Sequence, residues 1–257
     1  MTRPALPAGL LRLPVAHRAL HDRAQGRIEN SPSAVMAAVT AGYAIEIDVQ
    51  LSADGQAMVF HDEVLDRLTA ERGRVSARTA AALGRIGLTG GADVIPTLEA
   101  VLALIAGRVP ALIEIKDQTD RMADTDGRLE AAVARALGGY GGEVAVMSFN
   151  PHSIAHMARL APDVARGLTT SSYDPADWAP VPAAVCDRLR EIPDFDRVGA
   201  SFISHQGDDL DRPRVLALRA AGVPVLCWTI RSAEQEAAAR QIAANVTFEG
   251  YMSALPS

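Results

Sequence analysis

Cysteine is almost missing. Cys186 and Cys227 are the two in 257 residues, far apart and in apolar or mixed surroundings, so they read as buried free thiols, which suits a reducing compartment. Aromatic residues are scarce at 4%, leaving aliphatic side chains to build the interior. Positive charge is in the minority, 25 Lys and Arg against 31 Asp and Glu for a net charge of -6. With no basic run either, a nucleic-acid partner is excluded. No apolar run approaches the roughly 18 residues of a transmembrane helix. Near the N-terminus Pro4, Pro7, Arg12 and Pro14 interrupt what would otherwise be a signal-peptide core. These absences together describe a soluble, cytoplasmic protein with no membrane span.

What the chain has is apolar mass and regular alternation. Hydrophobic residues make up 49%, enough for one large core. Strand-like runs fall at 11–16, 44–51, 111–115, 144–149, 165–169, 200–204, 223–229 and 246–248. Helical patterns fall at 31–41, 98–106, 122–137, 152–160, 182–191, 212–221 and 233–243. Ser31 at a cap position, Pro32 in the first turn and Gly42 past the end frame the first helix. Strands alternating with helices predict an α/β protein, a (β/α)8 TIM barrel forming a single domain over 1–257. A β-hairpin follows the second strand, and a small insertion at about 62–96 carries a short helix at 77–83 and a glycine-rich stretch at 84–91. An open doubly wound sheet, the alternative, calls for a glycine-rich turn after the first strand, and that turn is missing.

The stretch 44–62 organises the rest. In Ala44-Ile45-Glu46-Ile47-Asp48-Val49-Gln50-Leu51 the side chains alternate, so Ile45, Ile47, Val49 and Leu51 share one face and Glu46, Asp48 and Gln50 the other. Asp54-Gly55 supplies residue types that accept positive φ in a tight turn. Met58-Val59-Phe60 follows too soon for a parallel crossover, so the chain returns antiparallel. That return brings His61 back to the level of the two acids.

In such a barrel, polar residues at the C-terminal ends of the strands face one mouth. Here they are His17 and Arg18, Glu46 and Asp48, Glu114 and Lys116, Phe149 and Asn150, His205 and Trp228. Three carboxylates packed together raise one another's pKa and stay ionised only beside a cation. Oxygen donors favour a hard divalent ion, Mg2+, Ca2+ or Mn2+, over zinc. A ring of ion pairs with Arg18 and Lys116 is the alternative. His17 and His61, arriving from separate strands, suit acid and base roles near neutral pH.

These residues resemble the glycerophosphodiester phosphodiesterase family. The likeness is carried, in the family's order, by Ala16-His17-Arg18, Glu29-Asn30, Glu46-Ile47-Asp48-Val49, Asp54-Gly55, Val59-Phe60-His61-Asp62, Leu65-Asp66-Arg67, Ile95-Pro96-Thr97-Leu98-Glu99, Ile113-Glu114-Ile115-Lys116, Ser148-Phe149-Asn150 and Trp228-Thr229. The resemblance implies a metal-dependent barrel that hydrolyses a small-molecule glycerophosphodiester to sn-glycerol 3-phosphate and an alcohol. It implies Glu46, Asp48 and Glu114 as ligands of a divalent metal ion, Mg2+ or Ca2+. By the same likeness His17 and His61 are the base and acid, Arg18 and Lys116 grip the phosphate, and Trp228 walls the glycerol pocket.

The chain also departs from the family. Ala19 stands in place of Gly, Ile28 in place of Pro and Ser31 in place of Thr, and a longer loop carries His21, Asp22 and Arg23. The last strand ends Thr247-Phe248-Glu249-Gly250, against the family's Thr-Asp or Thr-Asn. All are expected on the rim, where they bear on substrate choice. His205 reads as a substrate contact or a core residue, His152 and His156 as solvated helix surface, Trp178 as packing or rim, and the arginines from Arg67 to Arg85 as a solvated face. Two other functions are weighed: a phospholipase D-type enzyme on lysophospholipid headgroups, and a barrel that only binds phosphate-bearing ligands. The first needs an apolar approach surface that the polar loop 20–30 does not offer. The second calls for a lost carboxylate or histidine, and none is lost.

Overall fold

The computed structural model describes residues 3–256. Its strands are β1 Val15–Ala16, β2 Ala44–Leu51, β3 Ala57–Val59, β4 Ala111–Ile115, β5 Val144–Ser148, β6 Ala165–Thr170, β7 Phe202–Gln206, β8 Val225–Ile230 and β9 Asn245–Phe248. Its helices are α1 Ala8–Arg12, α2 Pro32–Ala41, α3 Ala80–Leu83, α4 Leu98–Ile105, α5 Arg128–Leu137, α6 Pro151–Leu160, α7 Ala183–Arg190, α8 Pro213–Ala220 and α9 Ala233–Ala239. The strands pair in the order β1-β9-β8-β7-β6-β5-β4-β2, and β1 also pairs with β2, which closes an eight-stranded parallel barrel. β3 lies outside the ring, antiparallel on β2 with Val49 opposite Val59, as the Asp54-Gly55 turn predicts.

The alternation of β2 decides what the barrel encloses. Ile45, Ile47 and Val49 pack outward against the helices, with Val35 of α2, Val101 and Leu102 of α4 and Val133 of α5 in one apolar cluster. The opposite faces of the strands converge inside, where Val15, Ala44, Leu112, Ala145, Met147, Ala165, Phe202 and Leu226 fill the lower barrel. Phe202 takes the space over Gly167, whose missing Cβ would collide with its ring. Above this apolar floor the inward positions turn polar, beginning at Glu46 and Glu114.

Two boundaries differ from the sequence reading for identifiable reasons. The run 11–16 is not one strand: Leu11 and Arg12 belong to α1, and the ladder begins at Val15. Pro14, with no N–H to give, separates the two. Leu10 is fully buried beside Leu6 and closes the floor, and Nδ2 of Asn245 donates to the carbonyls of Leu10 and Leu13. An apolar plug and an apolar strand have the same composition, so the sequence could not tell them apart. The helix expected at 122–137 begins only at Arg128. Asp117 captures the preceding loop instead, accepting from the N–H groups of Thr119 and Met122, as an Asx residue does in competition with a helix. Smaller differences occur where β7 and β8 each start two residues later than expected and α9 stops at Ala239.

After β3 the chain makes an excursion that reaches α4. Phe60, Leu65, Leu68, Val75, Leu83, Ile86, Leu88 and Ile95 form a small core of their own together with Met58 and Ile28. Ile28 therefore anchors the polar loop after β1 to the excursion. Cys186 and Cys227 are buried and free. Among the described residues no helix is long and apolar enough to cross a membrane.

Candidate active site

Asp48 and Glu114 are direct neighbours across the β2–β4 ladder, and Glu46 lies one inward position below Asp48. Each offers a carboxylate oxygen within 4.8 Å of the others. Glu46 and Asp48 are 2% exposed and Glu114 7%, so the cluster is buried. Burial pushes the Glu46 carboxyl well above its usual range, and the charges of Asp48 and Glu114 push it the same way. Burial would raise Asp48 as well, but Lys116, His61 and Arg18 hold it well below the carboxylate range.

Two cations come from the strand ends. Nζ of Lys116 lies 2.7 Å from Glu114 and 3.2 Å from Asp48; burial works against its charge, but those two acids outweigh it and raise its pKa. The Arg18 guanidinium bonds Glu29 at 2.7 Å and lies 3.7 Å from Asp48, while its backbone N–H donates to Glu46 at 2.8 Å. Arg18 and Ala19 both have positive φ, the kink that turns this N–H inward. Among the described residues Glu46 has no side-chain ion pair: its carboxylate is met by the Arg18 N–H and by the charges of Asp48 and Glu114, which the more distant Arg18 guanidinium only partly offsets. A buried, all-oxygen, under-neutralised triad fits a hard divalent cation.

The histidines stand at the edge of this cluster, each held by a carboxylate. Nδ1 of His17 lies 2.6 Å from Glu249, whose other oxygen takes Arg231 at 2.7 Å. His21 approaches the same carboxylate at 3.7 Å. Burial lowers the pKa of His17, against the opposing pull of Glu249, and the bonds to His17 and His21 hold Glu249 well below its usual range. Nδ1 of His61 lies 2.7 Å from Asp62, which Arg67 grips at 2.7 Å. In both pairs the ionised carboxylate accepts from Nδ1–H, which leaves Nε2 of each ring for chemistry. Gln50 donates to the His61 carbonyl at 3.0 Å and fixes the end of the hairpin.

Glu29, Asn30 and Asp62 carry the family resemblance in the sequence, where nothing marks their role. Asn30, 1% exposed and at positive φ, donates to Asp48 Oδ2 at 2.9 Å and accepts from the Asp48 N–H at 3.1 Å. Glu29 receives both Arg18 and Arg67, so Asp62, Arg67, Glu29, Arg18 and Asp48 form one continuous line of ion pairs. Glu249 was expected on the rim, yet it touches His17. Extending the strand-end rule to the last strand would have found it.

The remaining candidates separate cleanly. Trp228 donates from Nε1 to the Ser204 carbonyl at 3.1 Å and stands edge-on to Phe149, centroids 5.4 Å apart. Phe149 also meets Trp178 at 4.9 Å. Asn150 turns away to cap α6 and to hold Asp117. His205 is fully buried in the barrel wall, bonded to Thr170 and Asp209, so of its two readings the core one holds. His152 and His156 lie near the exposed Asp124, at 3.5 and 3.7 Å.

The profile of the glycerophosphoryl diester phosphodiesterase family matches residues 17–247. YqiK of Bacillus subtilis is 32% identical over 160 residues, covering 59% of this chain and 65% of that protein. A glycerophosphodiester phosphodiesterase of Caldanaerobacter subterraneus is 32% identical over 149 residues, 54% of this chain and 60% of that one. The matches thus span less than two thirds of the length of either relative. A phosphodiesterase of Oleispira antarctica, solved in complex with the product sn-glycerol-3-phosphate, shares the fold with a TM-score of 0.73 at 23% identity, over 92% of this chain and 93% of that one. With the family profile running from just past the first barrel strand into the last, the chain belongs to the glycerophosphoryl diester phosphodiesterase family of phosphoric diester hydrolases.

Proposed function

We propose that this protein hydrolyses glycerophosphodiesters to sn-glycerol 3-phosphate and an alcohol, in a single barrel domain, with Glu46, Asp48 and Glu114 holding a divalent metal ion, Mg2+ or Ca2+. The observation that carries the reading is the triad, three buried carboxylates within 4.8 Å with too little positive charge among them. Bound there, a divalent ion supplies the charge that a phosphodiester, already anionic and more so in its transition state, requires. Arg18 and Lys116 lie beside the triad and bind the phosphoryl oxygens. His17, buried and biased toward the neutral form, accepts through Nε2 the proton of the attacking oxygen, either from water directly or from a glycerol hydroxyl, in which case water opens the resulting cyclic phosphate in a second step to give sn-glycerol 3-phosphate. His61, held through Nδ1 by Asp62, donates a proton from Nε2 to the departing alcohol as its P–O bond breaks. One proton is taken and one returned as the new P–O bond replaces the old. Trp228, which lines a cavity beside the barrel mouth, walls the glycerol pocket. Two buried free thiols support a reducing, cytoplasmic setting.

Release of sn-glycerol 3-phosphate from a panel of glycerophosphodiesters tests this. Release is expected with a divalent ion, and is expected to vanish with EDTA and in His61→Ala and Glu46→Ala. Full activity in EDTA contradicts the metal site.

A further inference from the structure

His61 sits where the hairpin ladder has run out. The Phe60 N–H donates to the Asp48 carbonyl at 3.0 Å, and among the described residues the hairpin makes no later backbone bond to β2. At His61 a side chain takes over. Gln50, one inward position above Asp48 and 3% exposed, donates from Nε2 to the His61 carbonyl at 3.0 Å. A carbonyl only accepts, so the amide faces it with its nitrogen and leaves Oε1 for Nε2 of Gln118, at 2.8 Å. That same Nε2 lies 3.1 Å from the Lys116 carbonyl. Two amides in series therefore join the backbone of His61 to the segment that carries Lys116. Among the described residues neither amide bonds an imidazole, the Lys116 ammonium or a carboxylate of the triad.

We propose that Gln50, backed by Gln118, is a positioning residue for departure of the alcohol, setting the His61 ring at a fixed separation from Lys116. The proposal rests on the phosphodiesterase reading above. In that reading Lys116 fixes where the phosphoryl group lies, and His61 must reach the bridging oxygen attached to it. Asp62 governs the tautomer and tilt of the ring, at 2.7 Å from Nδ1. It is, however, the next residue on the same chain end, and its further tie runs through the half-exposed Arg67. The brace from β2 is what holds the separation, and a displacement of about 1 Å can cost on the order of 100-fold in rate.

The test compares the ethyl and the p-nitrophenyl esters of glycerol phosphate. An alkoxide needs a proton in order to leave and p-nitrophenolate does not, so only the ethyl ester depends on where His61 stands. Gln50→Met keeps the length of the side chain and loses its amide. It is expected to lower kcat for the ethyl ester roughly 10- to 100-fold and to leave the p-nitrophenyl ester nearly unchanged. Gln118→Leu, at a less buried position, should show the same selectivity with a smaller loss. The double variant should be no worse than Gln50→Met, because the two amides act through one bond. Equal losses on both esters, or none on the ethyl ester, overturn the proposal. A second readout needs no turnover. The chain has six histidines, and the magnetic resonance signals of the His61 and His17 rings are assigned by their loss in His61→Ala and His17→Ala. Gln50→Met is expected to shift or broaden the His61 signal and to spare that of His17; a change in both or in neither refutes the role. Should the unmodified protein hydrolyse neither ester, the phosphodiesterase reading has failed, while the ring signals still decide whether Gln50 places His61.

Discussion

Oε2 of Glu249 stands 2.6 Å from Nδ1 of His17, joining residues 232 apart in sequence across the β9–β1 seam. The neighbouring strands set this contact, since the His17 N–H donates to the Phe248 carbonyl at 2.9 Å. The carboxylate fixes the tautomer of His17 and opposes the lowering of its pKa by burial.

Glu249→Gln keeps an acceptor and removes the charge. A roughly 10- to 100-fold loss in kcat with little change in KM is expected, because proton transfer and not binding is affected. His17 must be neutral to act as base, so activity falls as pH drops through its pKa. Glu249 raises that pKa; without it the acid limb of the kcat/KM profile moves to lower pH. Glu249→Asp, which keeps the charge, should recover part of the loss. An upward shift of the limb, or an effect confined to KM, would tell against this role.

Asn30→Ala takes the hydrogen-bond partner from the buried Asp48 N–H and from Oδ2, which keeps only the Arg18 guanidinium at 3.7 Å. The cost is expected at about 1–3 kcal/mol of stability, read by thermal unfolding. Loosened orientation of Asp48 should weaken divalent-ion affinity about 10- to 100-fold, read by calorimetric titration. Unchanged affinity would remove Asn30 from the metal site.

Glu46→Gln separates the charge of the triad from its shape. The folded-state pKa of Glu46 is raised, so without divalent ions its stabilising contribution is present below the ordinary carboxylate range and is lost as pH climbs through the folded value. In EDTA at neutral pH the variant is therefore expected to match or exceed the parent in Tm, with the difference shrinking toward acid. With divalent ion at about one hundred times Kd the parent gains about 2.7 kcal/mol, and the variant loses most of that gain.

Gly167→Ala drives a methyl group into the Phe202 ring on the barrel floor. Overpacking of this kind costs about 1–3 kcal/mol, expected as a lower Tm with kcat retained in whatever fraction stays folded.

The sequence showed the ring of strands and the convergence of its acids for a simple reason. Parallel strands buried on both faces are written as short apolar runs, and Glu46, Asp48 and Glu114 interrupt those runs conspicuously. The hairpin was equally plain from Asp54-Gly55. The N-terminal plug was not, because Leu10 and Leu11 carry no mark to distinguish a helical turn from a strand. Nor was the loop before α5, where Asp117 takes backbone N–H groups that a helix would otherwise order. The supports of the histidines divide in the same way. Asp62 sits next to His61 in sequence, whereas Glu249 reaches His17 only once the barrel has closed.

The row of alternating charges from Asp62 through Arg67, Glu29 and Arg18 to Asp48 makes the excursion after β3 a structural partner of the triad. Substitutions at Arg67 and at Arg18, although one is half-exposed and the other mostly buried, should not add. Either arginine can hold Glu29 when the other is lost, so the second change in a double mutant, which leaves that carboxylate without a cation, is expected to do more harm than it does alone. Sequence drift in this outlying segment is thereby constrained by chemistry performed elsewhere.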